Sequence, residues 1–414
     1  MPDIHDIIDG RAVTSLFQPL VDIASGEVLG YEALSRGPAG TRWESPAMLF
    51  SAARKAGRDD ELDWVCRASA YRTALAADFG PALTLFVNME PTAWRVPCPA
   101  DLVPIVEQAR HRLRVVTEMT ERAIAVDPSA LLSATANCRE AGWGVALDDV
   151  GADPMSLALM PFVHPDVIKL DMQLLHAPDD PHTARVVAAV SAFAESSGAV
   201  VLAEGIETKE HLASALTMGA TVGQGWYYGI PSTLPAAAGN HTTLPLLPGS
   251  ANPQGTPFEI VSARRPVGRA TKAGLMPISR YLEALASEGT QPPVLLACFQ
   301  EARHFTPRTA ERYARIAGHS PLVAALGVGL GEEPIPGVRG ANLTPDDPLR
   351  GEWNVLVIGP HQAAALVARD LGDTGPERER RFDFALTHDR DLIVAAARSL
   401  LRCLAPARAD VRTG

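Results

Sequence analysis

Strand-like and helix-like segments alternate through the first 240 residues or so, and this alternation limits the possible folds more than any other feature. About eight short apolar runs with the length of a buried strand are separated mostly by stretches with helical periodicity. Strands that alternate with helices form parallel sheets, and about eight such units close into a barrel. The pattern therefore predicts an α/β fold, a TIM-like (β/α)8 barrel.

Polar side chains stand at or near the carboxyl end of almost every predicted strand. They are Glu32, Asn88, Glu118, Asp148, Asp149, Lys169, Glu204 and Gln224. In parallel barrels the carboxyl ends of the strands lie at one face, and the active site is found there. We therefore expect these residues to form one site.

The adjacent carboxylates Asp148 and Asp149 end an apolar run that begins at Val145. Neighbouring residues of a strand point to opposite faces, so both can serve one site only if the chain bends there. The alternative is that the pair caps the helix that follows. Glu32 lies inside an apolar strand, where an unpaired carboxylate is costly, so a metal, a cation or a cavity is expected beside it.

Several carboxylates and one carboxamide supply hard oxygen ligands, which favour Mg²⁺ or Mn²⁺ over Zn²⁺. The ligand count is sufficient for two ions, the arrangement that hydrolyses phosphodiesters. Lys169 would then place a positive charge, or orient water, at the developing negative charge. An enolase-type site, in which a lysine abstracts a carbon-bound proton, fits the same residues. The spacing of these residues along the chain does not distinguish phosphodiester hydrolysis from proton abstraction.

The run Tyr31-Glu32-Ala33-Leu34-Ser35-Arg36 resembles the signature of the EAL family of cyclic-di-GMP phosphodiesterases. The resemblance covers about residues 5 to 235 and extends to Asn88, to Thr117-Glu118-Met119-Thr120-Glu121, to Asp148-Asp149, to Ile168-Lys169-Leu170-Asp171, to Ala203-Glu204-Gly205-Ile206-Glu207 and to Gln224. It implies metal-dependent hydrolysis of cyclic di-GMP to linear pGpG, a barrel whose first strand is antiparallel, and a homodimer that pairs through the barrel.

The resemblance also implies a role for each matching residue. Metal ligands would be Glu32, Asn88, Glu118, Asp148, Asp149 and Glu204, which hold two Mg²⁺ or Mn²⁺ ions. The catalytic set would be Glu32, Asp149, Lys169 and Glu204, with Lys169 orienting the attacking water. Substrate contacts would come from Arg36, Gln18 and Gln224. Glu121 and Glu207 would hold the loop that follows the double aspartate.

That loop departs from the family pattern. The family follows its double aspartate with Phe-Gly-Thr-Gly or a close variant, whereas this chain has Val150-Gly151-Ala152-Asp153-Pro154. A hydroxyl and a glycine are lost, and the proline removes an amide donor. Two functions therefore stay open, a hydrolase and a catalytically weak or inactive barrel that acts as a cyclic-di-GMP receptor or interaction module.

Charge and composition argue against a nucleic-acid-binding protein, a disulfide-bonded protein and a membrane protein. The net charge of −11 disfavours non-specific binding to nucleic acid or to an anionic membrane surface. The five cysteines have no paired spacing, as expected for reduced thiols. No signal-peptide pattern and no run of about 18 apolar residues occurs, so we expect a cytoplasmic protein without a membrane segment.

The chain of 414 residues is too long for one core, and a second domain is expected. We predict a barrel at 1–237, a linker rich in proline, glycine and asparagine at 238–257, a domain at 258–405 and a flexible tail at 406–414. The expected elements of this smaller α/β domain are helices at 278–286, 306–316 and 391–401 and strands at 294–299, 322–328, 353–359 and 382–387.

The residues Glu301, Arg303, His304 and Phe305, together with the later strand that begins at Trp353, resemble the DICT domain, a sensory module. The resemblance covers roughly residues 258 to 405. It implies that the C-terminal domain regulates the barrel.

Overall fold

A computed structural model of the chain describes residues 3–80, 82–120, 125–153, 156–235, 243–247, 254–287 and 292–406. The backbone forms two compact units. The first consists of Met1–Ala123, Ser133–Ala152 and Val163–Gly249, and the second of Ile124–Leu132, Asp153–Phe162 and Ser250–Gly414.

The first unit contains a closed barrel of eight strands in sequence order. The strands are β1 (Thr14–Asp22), β2 (Val28–Arg36), β3 (Thr84–Asn88), β4 (Arg114–Thr120), β5 (Gly144–Val150), β6 (Val167–Leu170), β7 (Val200–Ala203) and β8 (Val222–Gly223). Strands β2 to β8 run parallel to one another, whereas β1 is antiparallel to both β2 and β8. The TIM-like barrel and its reversed first strand are both confirmed.

Helices connect most of these strands. In the described residues they are α1 (Ile4–Asp9), α2 (Pro46–Lys55), α3 (Asp59–Ala76), α4 (Val103–Arg112), α5 (Pro128–Glu140), α6 (Met160–Val163), α7 (Met172–His176), α8 (Pro181–Ser197) and α9 (Lys209–Thr217). Several begin at a side chain that accepts a hydrogen bond from the first turn, as Asp180 does before Pro181 and Thr208 does before Lys209. None of the described helices is long and apolar enough to cross a membrane. The cytoplasmic location stays a prediction.

One apolar side chain from every strand contributes to a buried layer inside the barrel. The layer consists of Leu20, Leu29, Phe86, Val116, Ala146, Val167, Leu202 and Val222. On seven of the eight strands, a polar residue of the predicted site lies two positions from the layer residue, as Glu118 does from Val116 and Lys169 from Val167. Because side chains alternate along a strand, that spacing puts each polar residue on the same inward face, one layer nearer the carboxyl end of the parallel strands.

The segment 243–247 packs against the other side of the apolar layer. Leu244 is buried in it, and Leu246 lies beside it. Arg114 donates to the carbonyl of Leu244 at 2.6 Å, and the Leu247 amide donates to Asp166 at 2.6 Å. Part of the predicted linker is therefore bound to the barrel. The predicted domain boundaries otherwise stay predictions.

The second unit contains a seven-stranded mixed sheet in the order β12-β11-β10-β13-β14-β15-β9. Its strands are β9 (Gly268–Thr271), β10 (Val294–Glu301), β11 (Val323–Val328), β12 (Arg339–Asn342), β13 (Glu352–Ile358), β14 (Ala363–Asp370) and β15 (Arg381–Thr387). Its helices are α10 (Pro257–Ser262), α11 (Lys272–Leu285), α12 (Pro307–Ala317) and α13 (Arg390–Leu401). Leu275 and Tyr313, from α11 and α12, pack with Leu366 of β14 in the core. The predicted second α/β domain is confirmed.

Candidate active site

Asp148 and Asp149 stand at a β-bulge near the end of β5. The pairing of β5 with β6 skips one residue there, and Asp149 has a φ of 55°. A bulge breaks the alternation of side chains and re-aims them. Asp148, Asp149 and Glu204 each place a carboxylate oxygen within 4.8 Å of the other two. The chain therefore bends as a shared site requires, and both aspartates reach that site.

Lys169 lies at the centre of the site. It is fully buried. Its Nζ lies 2.6 Å from Glu118, 2.8 Å from Asp148, 2.8 Å from Glu204 and 3.6 Å from Glu32. One ammonium among four carboxylates partly offsets their repulsion and leaves an excess of negative charge.

Burial and Lys169 set the protonation of this cluster. Burial, reinforced by Glu32, raises the pKa of Glu118 well above its ordinary value. Burial also raises the pKa of Glu204 to about 8, although Lys169 opposes the shift. At Glu32 burial acts in the same sense, but Lys169 and a hydrogen bond from Gln224 outweigh it and lower the pKa. Burial disfavours the charge on Lys169, yet the surrounding carboxylates hold its pKa well above the usual value.

Amide side chains hold both oxygens of Glu32. Asn88 Nδ2 donates to Oε1 at 3.0 Å, and Gln224 Nε2 donates to Oε2 at 2.6 Å and to Gln18 Oε1 at 3.1 Å. Gln18 Nε2 in turn donates to the carbonyl of Gly229 at 3.1 Å. The bond from Asn88 uses its nitrogen, so its Oδ1 remains as the oxygen that a cation would take.

These residues fit a divalent cation. The donors are carboxylates and one amide oxygen, the hard ligands that Mg²⁺ and Mn²⁺ prefer. Three of the carboxylates, those of Asp148, Asp149 and Glu204, already lie close enough to share one ion. The excess negative charge around Lys169 gives a second reason for cations to bind here.

Two cavities open onto the cluster, because each is lined by some of its members. One of about 320 Å³ is lined by Arg36, Asn88 and Glu118 among others. The second, of about 410 Å³, is lined by Gln18, Glu32, Asp149, Glu204, Glu207, Gln224 and Trp226 among others. The cluster therefore has open space on two sides for a ligand larger than an ion.

The structure brings most of the predicted site residues together. The cluster and its immediate hydrogen-bond partners are Gln18, Glu32, Asn88, Glu118, Asp148, Asp149, Lys169, Glu204 and Gln224. Arg36 and Glu207 lie in the cavity walls. Glu121 lies outside the described residues.

Sequence reasoning missed a buried ion pair on α3, between Asp63 and Arg67. Asp63 accepts a hydrogen bond from the backbone of Glu90, two residues after Asn88. The spacing of four residues marks a helical ion pair, but such pairs are usually exposed. The apolar neighbours Leu62 and Trp64 are the signal that this pair is buried.

Comparison with known families agrees with the geometry. Residues 3–231, more than half of the chain, match the family model of the EAL domain. The chain belongs to the EAL domain family. Residues 260–371 match the model of the DICT domain, described as a sensory domain in diguanylate cyclases and two-component systems. Both resemblances expected from the sequence are confirmed.

The EAL region is similar to proteins from several bacteria. The probable cyclic di-GMP phosphodiesterase PdeB of Escherichia coli K12 is 28% identical over 234 residues, which cover 54% of this chain and 44% of PdeB. The cyclic di-GMP phosphodiesterase RocR of Pseudomonas aeruginosa is 24% identical over 245 residues, which cover 56% of this chain and 61% of RocR. In both cases the match spans less than two thirds of the relative.

Among solved structures, a manganese and cyclic di-GMP complex of Klebsiella pneumoniae BlrP1 is 28% identical to this chain. The match covers 54% of this chain and 57% of that one, with a TM-score of 0.47.

Proposed function

We propose that this protein hydrolyses cyclic di-GMP to linear pGpG with two bound Mg²⁺ or Mn²⁺ ions. The observation that carries the proposal is the buried Lys169 ammonium, enclosed by four carboxylates at the carboxyl end of an EAL barrel. The names of two relatives, PdeB and RocR, support cyclic di-GMP as the substrate.

The proposed metal ligands share one property, an oxygen donor at or near the end of a barrel strand. They are Glu32, Asn88, Glu118, Asp148, Asp149 and Glu204. When bound, the ions would activate water and neutralise charge on the phosphate. The bulge at Asp149 supports this assignment, since it brings two successive side chains to one site.

The chain's own residues complete the proposed reaction. A water oxygen bonds to one phosphorus, and the bond from that phosphorus to the ribose O3′ breaks, which leaves a 5′-phosphate and a 3′-hydroxyl. Lys169 keeps its charge and balances the negative charge that develops on the phosphate. Arg36, with its two-pronged guanidinium, contacts a substrate phosphate, and Gln18 and Gln224 contact the substrate from the second cavity.

The second candidate function is a receptor that binds cyclic di-GMP without turnover. The departure of Val150-Gly151-Ala152-Asp153-Pro154 from the family's loop favours it. Val150 and Gly151 are nevertheless held firmly: the Asp171 amide donates to the Val150 carbonyl at 3.1 Å, and His182 Nε2 lies 2.8 Å from the Gly151 carbonyl. Pro154 lies outside the described residues.

One experiment separates the two functions. The full chain is incubated with cyclic di-GMP in Mn²⁺, in Mg²⁺ and in chelator, and the nucleotides are resolved by chromatography. The hydrolase gives pGpG with either metal and none with chelator. Binding in the presence of metal with no pGpG supports the receptor and contradicts the hydrolase.

We also propose that the C-terminal domain regulates the barrel and that the chain forms a homodimer through the barrel. The makeup of the second unit supports regulation, because it includes residues 153–162, which begin four positions after Asp149. The apolar side chains of Leu157–Met160 are buried within the chain, so the proposed dimer would pair through other residues. The association state of the purified chain, measured by light scattering, tests the dimer, and a monomer at all concentrations contradicts it.

A further inference from the structure

One face of α3 forms hydrogen bonds with the segment that follows β3. Asp60, Asp63, Trp64 and Arg67 have the spacing that places side chains on the same side of a helix. Three of the four contact residues beyond Asn88. The contacts run from Thr92 Oγ1 to Asp60 Oδ1 at 2.8 Å, from the Glu90 amide to Asp63 Oδ1 at 3.0 Å, and from Trp64 Nε1 to the carbonyls of Ala93 and Val96 at 3.1 Å each.

The fourth residue, Arg67, holds Asp63 in place. The two residues are 1% and 3% exposed. Arg67 Nε donates to Asp63 Oδ2 at 2.7 Å, and Arg67 Nη2 lies 2.6 Å from the same oxygen. The guanidinium also lies 3.9 Å from the ring centre of Trp64. A buried ion pair is often no more stabilising than two well-packed apolar side chains. Stability alone therefore does not account for this one, and the other oxygen of Asp63 suggests another role.

That other oxygen, Oδ1, meets the chain close to the proposed metal site. It accepts from the Glu90 amide, and Glu90 is two residues after Asn88, the last residue of β3. The residue between them is also fixed, because the Met89 amide donates to the Glu118 carbonyl at 3.0 Å. Asn88 itself donates to Glu32 at 3.0 Å. The two backbone amides that follow Asn88 are thus both anchored. The Met89 amide is bound to β4, and the Glu90 amide is bound to α3.

We propose that Asp63, held by Arg67, is a positioning residue for the metal site, and that it acts by fixing the backbone that carries Asn88. This inference rests on the proposed function, in which the Asn88 oxygen is a metal ligand. Residues that orient metal ligands in this way typically change metal affinity or activity by about 10- to 100-fold when they are lost.

The test compares two double variants of the full chain, Asp63→Asn with Arg67→Met and Asp63→Leu with Arg67→Met. Both remove the ion pair without leaving a buried charge unpaired, and asparagine and leucine are similar in size. They differ in the acceptor for the Glu90 amide, which asparagine keeps and leucine lacks. The dissociation constant for Mn²⁺ is measured by calorimetry, with the melting temperature as the measure of folding.

We expect the leucine double variant to bind Mn²⁺ about 10- to 100-fold more weakly than the asparagine double variant, at a similar melting temperature. In turnover assays at a fixed Mn²⁺ concentration, the weaker Mn²⁺ binding of the leucine double variant would lower kcat and leave the KM for cyclic di-GMP unchanged. Thr92→Val is the matched control, because it removes another bond to α3 four residues from Asn88, and its Mn²⁺ affinity should stay within about twofold of wild type.

Equal Mn²⁺ affinity in the two double variants overturns the positioning role while leaving the proposed function intact. A wild-type chain that binds no Mn²⁺ overturns the proposed function, and this inference with it. If the leucine variant does not fold, Asp63→Ala with Arg67→Met replaces it, and the same comparison decides.

Discussion

At the scale of single residues, the protonation of the cluster links metal binding to pH. Glu204 has a pKa of about 8, and the pKa of Glu118 is also well above normal, because both are removed from water among other carboxylates. Near pH 7 the metal-free site therefore holds protons that an unfolded chain would have lost. A cation needs the ionised carboxylates, so its binding must displace those protons.

We predict that Mn²⁺ binding at pH 7 releases about one proton or more, and that between pH 6 and 8 the affinity rises about tenfold per pH unit for each proton released. The sign follows from the raised pKa values, since protons compete with the cation below them. Calorimetry in buffers with different ionisation enthalpies measures the release. The same observed enthalpy in every buffer would contradict the protonated cluster.

Most of the site residues could be predicted from the sequence because they stand two positions from apolar strand residues, as Lys169 does from Val167. The alternation along a strand carries that information. The role of Asp63 could not be predicted, because its partner at the Glu90 amide is a backbone group on a distant segment.

At the scale of elements, the end of β5 depends on close packing at Gly151. This residue has a φ of 101°, and a Cβ there would lie 2.8 Å from Leu174 Cδ1 and 3.0 Å from Val186 Cγ1. Gly142 has a similar backbone requirement, with a φ of 74°, but nothing lies within 4 Å of a Cβ placed there. Alanine substitutions at these two glycines therefore separate the energetic cost of the backbone conformation from the cost of a steric clash.

We predict that Gly151→Ala lowers the free energy of unfolding by about 2–5 kcal/mol, the backbone cost plus that of the clash, and weakens Mn²⁺ binding because the loop shifts beside Asp149. Gly142→Ala should carry only the backbone cost, about 1–2 kcal/mol, with unchanged Mn²⁺ affinity. Thermal unfolding and calorimetry measure both effects. Equal Mn²⁺ affinity in the two variants would show that the loop does not position the site.

Strands are hardest to predict from the sequence where pairing with neighbouring strands outweighs the helix or strand propensity of the residues. Strand β14 was not predicted, because Ala363, Ala364 and Ala365 favour helix, yet the strand lies between β13 and β15. The short strands β9 and β12 at the sheet edges were also missed. Helix α11 begins at Lys272, not at the predicted Ile278, because Thr271 caps it and Pro277 is tolerated inside it.

At the scale of the whole molecule, the second unit includes two segments from the first 237 residues, 124–132 and 153–162. Within this unit, Arg398 of α13 donates from Nε to the carbonyl of Phe162 at 3.1 Å. Arg339 of β12 donates to the carbonyl of Ala125 at 2.7 Å. Sequence patterns predicted two domains but not this division, because the contacts that define it join residues more than 200 positions apart.

We predict that Arg398→Met in the full chain lowers turnover by about 2- to 30-fold, because it releases a backbone segment that continues from the double aspartate. Arg402→Met is the control, since Arg402 is exposed one residue after α13. The initial rate of pGpG formation at saturating Mn²⁺ measures the effect. Equal rates in the two variants would contradict regulation through this contact.

Hydrolysis of cyclic di-GMP by the carboxylate cluster with Lys169 is tested by the rate of pGpG formation as Mn²⁺ is titrated into the full chain. We expect no product without metal, a saturable rise with it, and a loss of about 100- to 1,000-fold in Lys169→Met. Lys209→Met, at an exposed lysine, should behave as wild type. A rate of pGpG formation that does not depend on Mn²⁺, or a rate in Lys169→Met equal to that of wild type, would contradict a catalytic role for this cluster.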